Sequence, residues 1–310
     1  MMAETSTGAG RVVVTGGSGF IGRAVVTALR ARGCHVTVID RGEPVIDDPG
    51  VTHVRGELSD PEVQRAAVPV GTDGIVHLAA ATSVLRSVAT PAETYDNNVA
   101  VTQALLELAR ERGVSRFVLA STNAVVGNVG DATITTDMPL RPLTPYGATK
   151  AACEMLLSGY AGAYDMATSV LRFSNVYGPG MSHKDSFVPR LMRAALHDEG
   201  VRVYGDGLQR RDLVHLDDVV RAVMLAWDKR HSGTAIVGSG RSMSVLEMVA
   251  TAREVTGAAL PVEHVPAPQG EMPAVVVDVS GSADSIGYHP RVGLRSGLTA
   301  VWQYFRDNGS

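Results

Sequence analysis

The sequence has few cysteines and no long apolar run. Only Cys34 and Cys153 occur in 310 residues, too few for a disulfide framework or a Cys-x-x-Cys metal site. No uninterrupted apolar run approaches the ~20 residues of a membrane-spanning helix, and residues 1–10 contain no hydrophobic signal segment. No His, Asp or Glu cluster has the spacing of a metal site. We therefore expect a cytoplasmic protein with no membrane partner and no metal centre.

An excess of positive charge is also absent. Against 28 Lys and Arg stand 32 Asp and Glu, so the net charge is -4 and the pI is about 6.1. The chain as a whole therefore does not attract nucleic acid or anionic membranes. Any phosphate-bearing ligand must be held at a local site, and a small ligand is the better expectation. The composition, 45% hydrophobic and 19% charged with a mean hydropathy of +0.08, is that of an ordinary globular protein.

Strand-like and helix-like segments alternate through the first half of the chain. Residues 12–14 and 117–120 are apolar on both faces, as strands of a parallel sheet covered by helices on each side must be. This pattern predicts the α/β class with a doubly wound parallel sheet. After residue 174 the pattern is less regular, which favours a smaller substrate-binding portion there. The predicted strands are 11–15, 35–39, 73–78, 116–121 and 169–173, and the predicted helices are 20–32, 91–112, 145–164 and 296–305.

Three glycines lie between the first predicted strand and the first predicted helix. Gly16 permits a tight turn, Gly19 lets the backbone approach a pyrophosphate, and Gly22 lets the helix pack against the strand. The second strand ends at Asp40, 18 residues after Gly22, where a carboxylate would accept from adenosine ribose hydroxyls. This favours NAD over NADP, although the adjacent Arg41 offers a positive charge to a 2'-phosphate.

A candidate acid/base pair opens the helix after residue 144. Tyr146 and Lys150 are four residues apart and share one helix face. A nearby ammonium stabilises a phenolate, so Lys150 is expected to lower the pKa of Tyr146. A hydroxyl from Thr122 or Ser121, at the end of the preceding strand, can bind the same substrate oxygen. Together with the glycine turn, these residues predict proton transfer coupled to hydride transfer.

These motifs resemble those of the extended short-chain dehydrogenases/reductases of the NAD-dependent epimerase/dehydratase family. The resemblance extends over nearly all of the chain. It implies a Rossmann domain over residues 1–174, and a nucleotide-sugar-binding portion mainly in 175–310 with some segments returning to the first domain. Further matching segments are 76–80 (VHLAA), 97–99 (NNV), 171–180 (LRFSNVYGPG), 205–207 (GDG) and 211–219 (RDLVHLDDV).

The resemblance also implies the site residues. Asn98 would order the active-site backbone, and the helices at 91–112 and 145–164 would pair in a homodimer. Pro268 stands where many relatives carry an arginine that grips the nucleotide. NAD would lie against Gly16, Gly19, Phe20, Ile21, Asp40, Leu58, Leu78, Ala79, Lys150 and Phe173. The nucleotide sugar would lie against Asn175, Val203, Tyr204, Arg211 and Glu271.

The segment after Thr122 favours one reaction of the family. The resemblance to 4,6-dehydratases would require an Asp-Glu pair at positions 123 and 124, where Asn123 and Ala124 stand. Since neither side chain transfers a proton, we expect a 4-epimerase with Thr122, Tyr146 and Lys150 as catalytic residues. The expected substrate is a UDP-hexose or UDP-hexuronic acid. A nucleotide-sugar 4-ketoreductase, a decarboxylase and a dinucleotide-sensing binding protein without activity are the alternatives.

Overall fold

Each strand and helix that the sequence predicts is present, and further elements lie between and after them. The computed structural model describes residues 10–267 and 274–308. The strands are β1 (Arg11–Thr15), β2 (His35–Asp40), β3 (Val51–Arg55), β4 (Gly74–His77), β5 (Arg116–Thr122), β6 (Thr133–Ile134), β7 (Ala167–Phe173), β8 (Asn175–Tyr177), β9 (Val201–Tyr204), β10 (Arg210–His215), β11 (Gly233–Val237), β12 (Ser242–Ser244), β13 (Val262–Val265) and β14 (Val276–Val277). The α-helices are α1 (Phe20–Ala31), α2 (Pro61–Ala67), α3 (Val84–Ala89), α4 (Pro91–Tyr95), α5 (Val101–Glu111), α6 (Pro145–Ala163), α7 (Phe187–Leu196), α8 (Leu216–Asp228), α9 (Val245–Thr256), α10 (Ser280–Ile286) and α11 (Leu294–Asn308).

The main sheet has seven strands in the order β11-β7-β5-β4-β1-β2-β3. The pairs β1–β2, β1–β4, β2–β3 and β4–β5 are parallel. This arrangement confirms the predicted doubly wound parallel sheet. Two of its strands, β3 and β11, were not among the predicted ones, because β3 is only half-buried and β11 lies in the half of the chain where the hydrophobic pattern is less regular.

The chain divides into two compact units that interleave along the sequence. The first comprises the chain up to Gly127, together with Leu140–Arg172 and Val223–Thr234. The second comprises Asn128–Pro139, Phe173–Ala222 and the chain from Ala235 onward. The functional assignment of residues 1–174 and 175–310 to cofactor and substrate stays a prediction.

The predicted helix over residues 91–112 contains a change of helix type. A π-helical turn, Asp96–Ala100, separates α4 from α5. Such turns insert one residue into the helical repeat and are frequent at functional sites. Hydrophobic periodicity does not reveal them, because the helix continues on both sides.

Helix α6 is fixed at its start and along one face. Pro145 occupies the first turn, and the Thr144 hydroxyl caps it by accepting the Gly147 N–H at 3.2 Å. Leu157 of α6 is fully buried in one apolar cluster with Phe117 of β5. Because large side chains in such a core occupy few arrangements, this packing fixes α6 against β5.

Candidate active site

The glycine turn between β1 and α1 leaves no room for side chains. Gly16 has a φ of 69°, a left-handed conformation that favours glycine. A Cβ at Gly22 would lie 2.0 Å from the Gly16 carbonyl oxygen, and one at Gly16 would lie 2.9 Å from the Ala79 backbone nitrogen. The N–H of Gly19, the residue before α1, donates to the Gly16 carbonyl at 3.0 Å. The start of α1 therefore presents only backbone, as pyrophosphate binding requires.

Asp40, at the end of β2, is held in place by two backbone N–H groups. One carboxylate oxygen accepts from Ser18 at 3.0 Å, and the other accepts from Gly42 at 2.9 Å. The Ser18 hydroxyl is buried and has no hydrogen-bond partner in the part of the chain that the structure describes. A buried hydroxyl without a partner is costly, and a polar ligand at the turn would satisfy it.

A cavity of about 360 Å³ lies in the first unit at the end of β2. The glycine turn, the fixed Asp40 carboxylate and this cavity together fit an adenine dinucleotide. Of the predicted cofactor residues, Gly16, Asp40, Leu58 and Ala79 line this cavity. Gly19, Phe20, Ile21, Leu78 and Lys150 belong to the same unit without lining it, and Phe173 belongs to the second unit.

The same cavity predicts a preference for NAD over NADP. Arg41 also lines it, but its guanidinium lies 3.8 Å from the Glu57 carboxylate, and both side chains are largely exposed. A 2'-phosphate next to the Asp40 carboxylate would meet like charge, so we expect NAD to bind roughly tenfold or more tightly than NADP. Asp40→Asn should reduce that ratio, and Glu57→Gln is the control. Calorimetric titration with both dinucleotides measures the ratio of the two affinities. Equal affinity of the unaltered protein for NAD and NADP would contradict the prediction.

The three predicted catalytic residues meet where α6 faces the end of β5. The Thr122 hydroxyl forms a hydrogen bond with the Tyr146 phenol. Thr122 Oγ1 also accepts the Ala124 N–H at 3.2 Å, which leaves its own proton for the phenol oxygen. The buried Lys150 donates from Nζ to the Ala120 carbonyl at 2.9 Å. The structure therefore brings Thr122 and Tyr146 into contact and holds Lys150 at Ala120, two residues before Thr122 on β5.

The predicted pKa shift of Tyr146 is wrong in direction. Burial raises the pKa of the Tyr146 phenol to about 12, and the hydrogen bond with Thr122 only partly opposes this shift. Lys150 does not reverse it, because its ammonium is committed to the Ala120 carbonyl, and burial lowers the pKa of Lys150 itself. At neutral pH, Tyr146 therefore holds its proton, and it acts as a base only where further positive charge favours the phenolate.

Asn98, in the π-helical turn, connects the loop after β4 to α6. Its Oδ1 accepts the Ala81 N–H at 2.8 Å, and its Nδ2 donates to the Ala81 carbonyl at 3.1 Å. Nδ2 also donates to Thr149 Oγ1 at 3.0 Å, one residue before Lys150. These contacts are those of a residue that orders the backbone around the site.

His77 is part of a buried chain of hydrogen bonds and carries no charge. Burial lowers the pKa of His77 to about 3. Its Nδ1 lies 2.7 Å from Thr15 Oγ1 and its Nε2 lies 3.1 Å from Thr102 Oγ1. Thr102 donates to the Asn98 carbonyl at 2.6 Å, so it accepts from Nε2, and Nδ1 accepts from Thr15. His77 thereby joins the end of β1 to the π-helical turn and is a packed residue rather than an acid or base.

A buried ion pair that sequence reasoning missed lies behind the catalytic residues. Arg172 donates from Nη2 to Glu154 Oε2 at 2.8 Å and from Nε to both carboxylate oxygens at 3.1 and 3.2 Å. The Ser121 hydroxyl donates to the same carboxylate, which leaves Thr122 as the strand hydroxyl that contacts Tyr146. The only sequence signal was the spacing of Glu154, one turn after Lys150 on the same helix face.

A second cavity, of about 280 Å³, lies in the second unit. Asn175, Val203, Tyr204 and Arg211 line it, so the structure brings together four of the five predicted substrate residues. Glu271 and Pro268 lie outside the described residues. Two arginines that sequence reasoning did not single out, Arg190 and Arg202, also line this cavity, because no motif spacing connects them to Arg211.

Residues 10–267 and 274–308 contain neither a candidate metal site nor a candidate membrane-spanning helix. No group of three His, Cys, Asp or Glu side chains in these ranges is placed to hold a metal ion. Within the same ranges, no helix has both the length and the apolar character needed to cross a membrane.

Known proteins resemble this chain over almost its whole length. The model of the NAD dependent epimerase/dehydratase family matches residues 12–238. A dTDP-glucose 4,6-dehydratase of Streptomyces niveus is 32% identical, and the match covers 96% of this chain and 93% of that protein. A UDP-glucose 4-epimerase of Streptomyces lividans is also 32% identical, with 95% and 96% covered. The solved structure of MoeE5 in complex with UDP-glucuronic acid and NAD is 37% identical, with a TM-score of 0.87 and 96% and 99% covered.

Proposed function

The chain belongs to the NAD-dependent epimerase/dehydratase family, and on that premise we propose that it is a nucleotide-sugar 4-epimerase. NAD is the cofactor, as predicted, since the family is NAD-dependent and similar structures contain NAD. The proposed substrate is a UDP-hexose or UDP-hexuronic acid. It is supported by the similarity to a UDP-glucose 4-epimerase and to MoeE5, which was crystallised with UDP-glucuronic acid.

The contact between Thr122 and Tyr146, with Lys150 one turn further along α6, carries the proposal. Tyr146 accepts the proton of the sugar C4 hydroxyl and later returns it. The hydrogen bond from the Thr122 hydroxyl stabilises the Tyr146 phenolate, and Lys150, bound to the Ala120 carbonyl, holds the end of β5 beside it. Bound NAD supplies a hydride acceptor and, in its oxidised form, a positive charge. Inversion requires the 4-keto sugar to expose its other face before hydrogen returns to C4.

The residues after Thr122 favour epimerisation over dehydration. Elimination of the C6 hydroxyl requires a base for the C5 proton and an acid for the leaving oxygen. Asn123 is a buried amide, and Ala124 contributes its backbone N–H to Thr122. Neither side chain transfers a proton, so Tyr146 and Thr122 serve C4 alone. The absence of an acidic side chain at 123 and 124 also disfavours the decarboxylase alternative.

A reaction in D₂O tests this assignment. We expect incubation with UDP-glucose or UDP-glucuronic acid to give the C4 epimer without deuterium at carbon and without net consumption of added NAD, as measured by NMR. Deuterium at C5 or a 6-deoxy-4-keto product would instead establish a dehydratase. Stoichiometric oxidation of added NADH or NADPH would favour the 4-ketoreductase.

A panel of UDP- and dTDP-sugars separates the enzyme from the non-enzymatic alternative. Product formation from one member supports the epimerase and identifies the nucleotide. Bound dinucleotide without turnover of any member would support a dinucleotide-sensing protein, although such a protein has no need of the contact between Thr122 and Tyr146.

We also propose that two copies pair through one apolar face of the first unit, defined by Leu85, Val88, Tyr95 and Met155. These side chains of α3, α4 and α6 are 82, 62, 53 and 59% exposed. Exposed apolar groups concentrated on neighbouring helices are typical of interaction surfaces.

Sedimentation is expected to show a dimer at micromolar concentration, and Met155→Glu is expected to shift it to monomer because a charge would enter the apolar face. Val70→Glu, at a residue that is 70% exposed outside this face, is the matched control. A monomer in the unaltered protein would contradict the proposal.

A further inference from the structure

The cavity of the second unit concentrates positive charge in an acidic chain. Arg190, Arg202 and Arg211 line it, and none of its described lining residues is Asp or Glu. The net charge of the chain is -4, so this grouping is local. Guanidinium groups bind phosphates and carboxylates through paired hydrogen bonds. A nucleotide sugar with a neutral hexose brings two negative charges, one on each phosphate, which leaves one guanidinium in excess.

Arg211 and Arg202 have neighbours that set them apart from the third arginine. Arg211 lies on β10 and donates from Nη1 to the Arg210 carbonyl at 2.8 Å. Arg202 is exposed on β9, where it stands in register with Glu263 of the adjacent strand β13. The strand pairing thus places an acidic residue opposite Arg202.

Arg190 differs because it is carried by a helix and part of its guanidinium is buried. Its Nε is buried and has no hydrogen-bond partner in the described part of the chain. Asp185 lies 3.8 Å from this nitrogen, too far for a hydrogen bond, and is also 3.7 Å from Arg193. The Asp185 side chain is 89% exposed, so solvent screens it. A buried N–H donor of a cation that lacks an acceptor is costly unless a ligand supplies one.

We propose that Arg190 binds a carboxylate on the sugar, which makes the substrate a nucleotide-linked hexuronic acid. This inference rests on the proposed function, because it takes the second cavity to hold a nucleotide sugar. It narrows that function, since a hexuronic acid carries the third negative charge that the three guanidinium groups match. Arg190 is then a substrate-binding residue that selects the oxidation state of C6.

Calorimetric titration of the protein with UDP, UDP-glucose and UDP-glucuronic acid tests the proposal. The unaltered protein should bind UDP-glucuronic acid more tightly than UDP-glucose. Arg190→Met should lower the affinity for UDP-glucuronic acid by roughly 10- to 100-fold, which is the contribution of a charged hydrogen-bond pair. The affinities for UDP and UDP-glucose should stay within about twofold of those of the unaltered protein. Retained UDP binding also shows that the variant is folded.

Two further variants sharpen the test. Arg190→Lys, which keeps the charge, should restore part of the affinity for UDP-glucuronic acid. Arg202→Met removes an arginine from the same cavity, and it should not lower the affinity for UDP-glucuronic acid more than the affinity for UDP-glucose.

Three results would overturn the inference. If Arg190→Met lowered the affinity for all three ligands equally, Arg190 would bind the diphosphate instead. If it lowered none of the three affinities, Arg190 would not contact the ligand. If the unaltered protein bound none of the three ligands, the proposed function itself would fail, a result distinct from the other two.

Discussion

Tyr146→Phe is expected to lower kcat by about 10²–10⁴-fold, the usual contribution of general acid-base catalysis. The substitution keeps the aromatic ring and removes the phenol oxygen that contacts the Thr122 hydroxyl. NAD binding should be unchanged, because Tyr146 does not line the cavity that contains Asp40 and Leu58. Initial rates with the epimerised sugar, and titration of NAD into the variant, measure the two effects separately.

Tyr160→Phe is the matched control, since Tyr160 lies on the same helix. Its hydroxyl donates to Glu107 at 2.9 Å and accepts from Gln103 at 2.8 Å, so the substitution removes a phenol without touching Thr122. The control should retain its rate. A Tyr146→Phe variant with more than half of the original rate would exclude Tyr146 as the proton carrier.

Glu154→Gln is expected to lower the free energy of unfolding by roughly 3–5 kcal/mol, the usual cost of removing one partner from a buried ion pair. The Glu154 and Arg172 side chains are only 2 and 4% exposed, so water does not replace the lost contact. The amide also removes the charged acceptor of the Ser121 hydroxyl. Because whole proteins are stable by about 5–15 kcal/mol, the loss should be evident in urea or thermal unfolding of the protein with NAD bound.

Two control variants show whether the loss of stability comes from the unpaired buried charge or from substitution in general. Asp228→Asn breaks the pair with Arg32, whose side chains are 53 and 42% exposed, and should leave the unfolding midpoint unchanged. The double substitution Glu154→Leu and Arg172→Met removes both charges and should recover much of the stability. If Glu154→Gln unfolds at the same midpoint as the unaltered protein, the pair makes no such contribution.

Residue spacing along the chain was enough to predict the fold class and the chemical groups of the first unit. The glycines at 16, 19 and 22 could be recognised because a strand-to-helix turn with a backbone phosphate site tolerates no larger residue. A Cβ at Gly22 would lie 2.0 Å from the Gly16 carbonyl oxygen, which is a clash. Asp40 could be recognised because it lies at the end of a predicted strand. Tyr146 and Lys150 could be recognised because their helical spacing puts them on one face. Such features depend on residues close together in the chain, and their spacing carries the information.

The pKa values of those groups, and the distant residues that contact them, depend on how the whole chain packs. Spacing suggested a lowered pKa for Tyr146, whereas burial raises it to about 12, since desolvation depends on everything packed around the phenol. The pair of Glu154 with Arg172 joins residues from α6 and β7. Likewise, Arg190 meets Arg211 in one cavity although they lie on a helix and a strand. Contacts of this kind arise from chain packing, and no local pattern of amino acids encodes them.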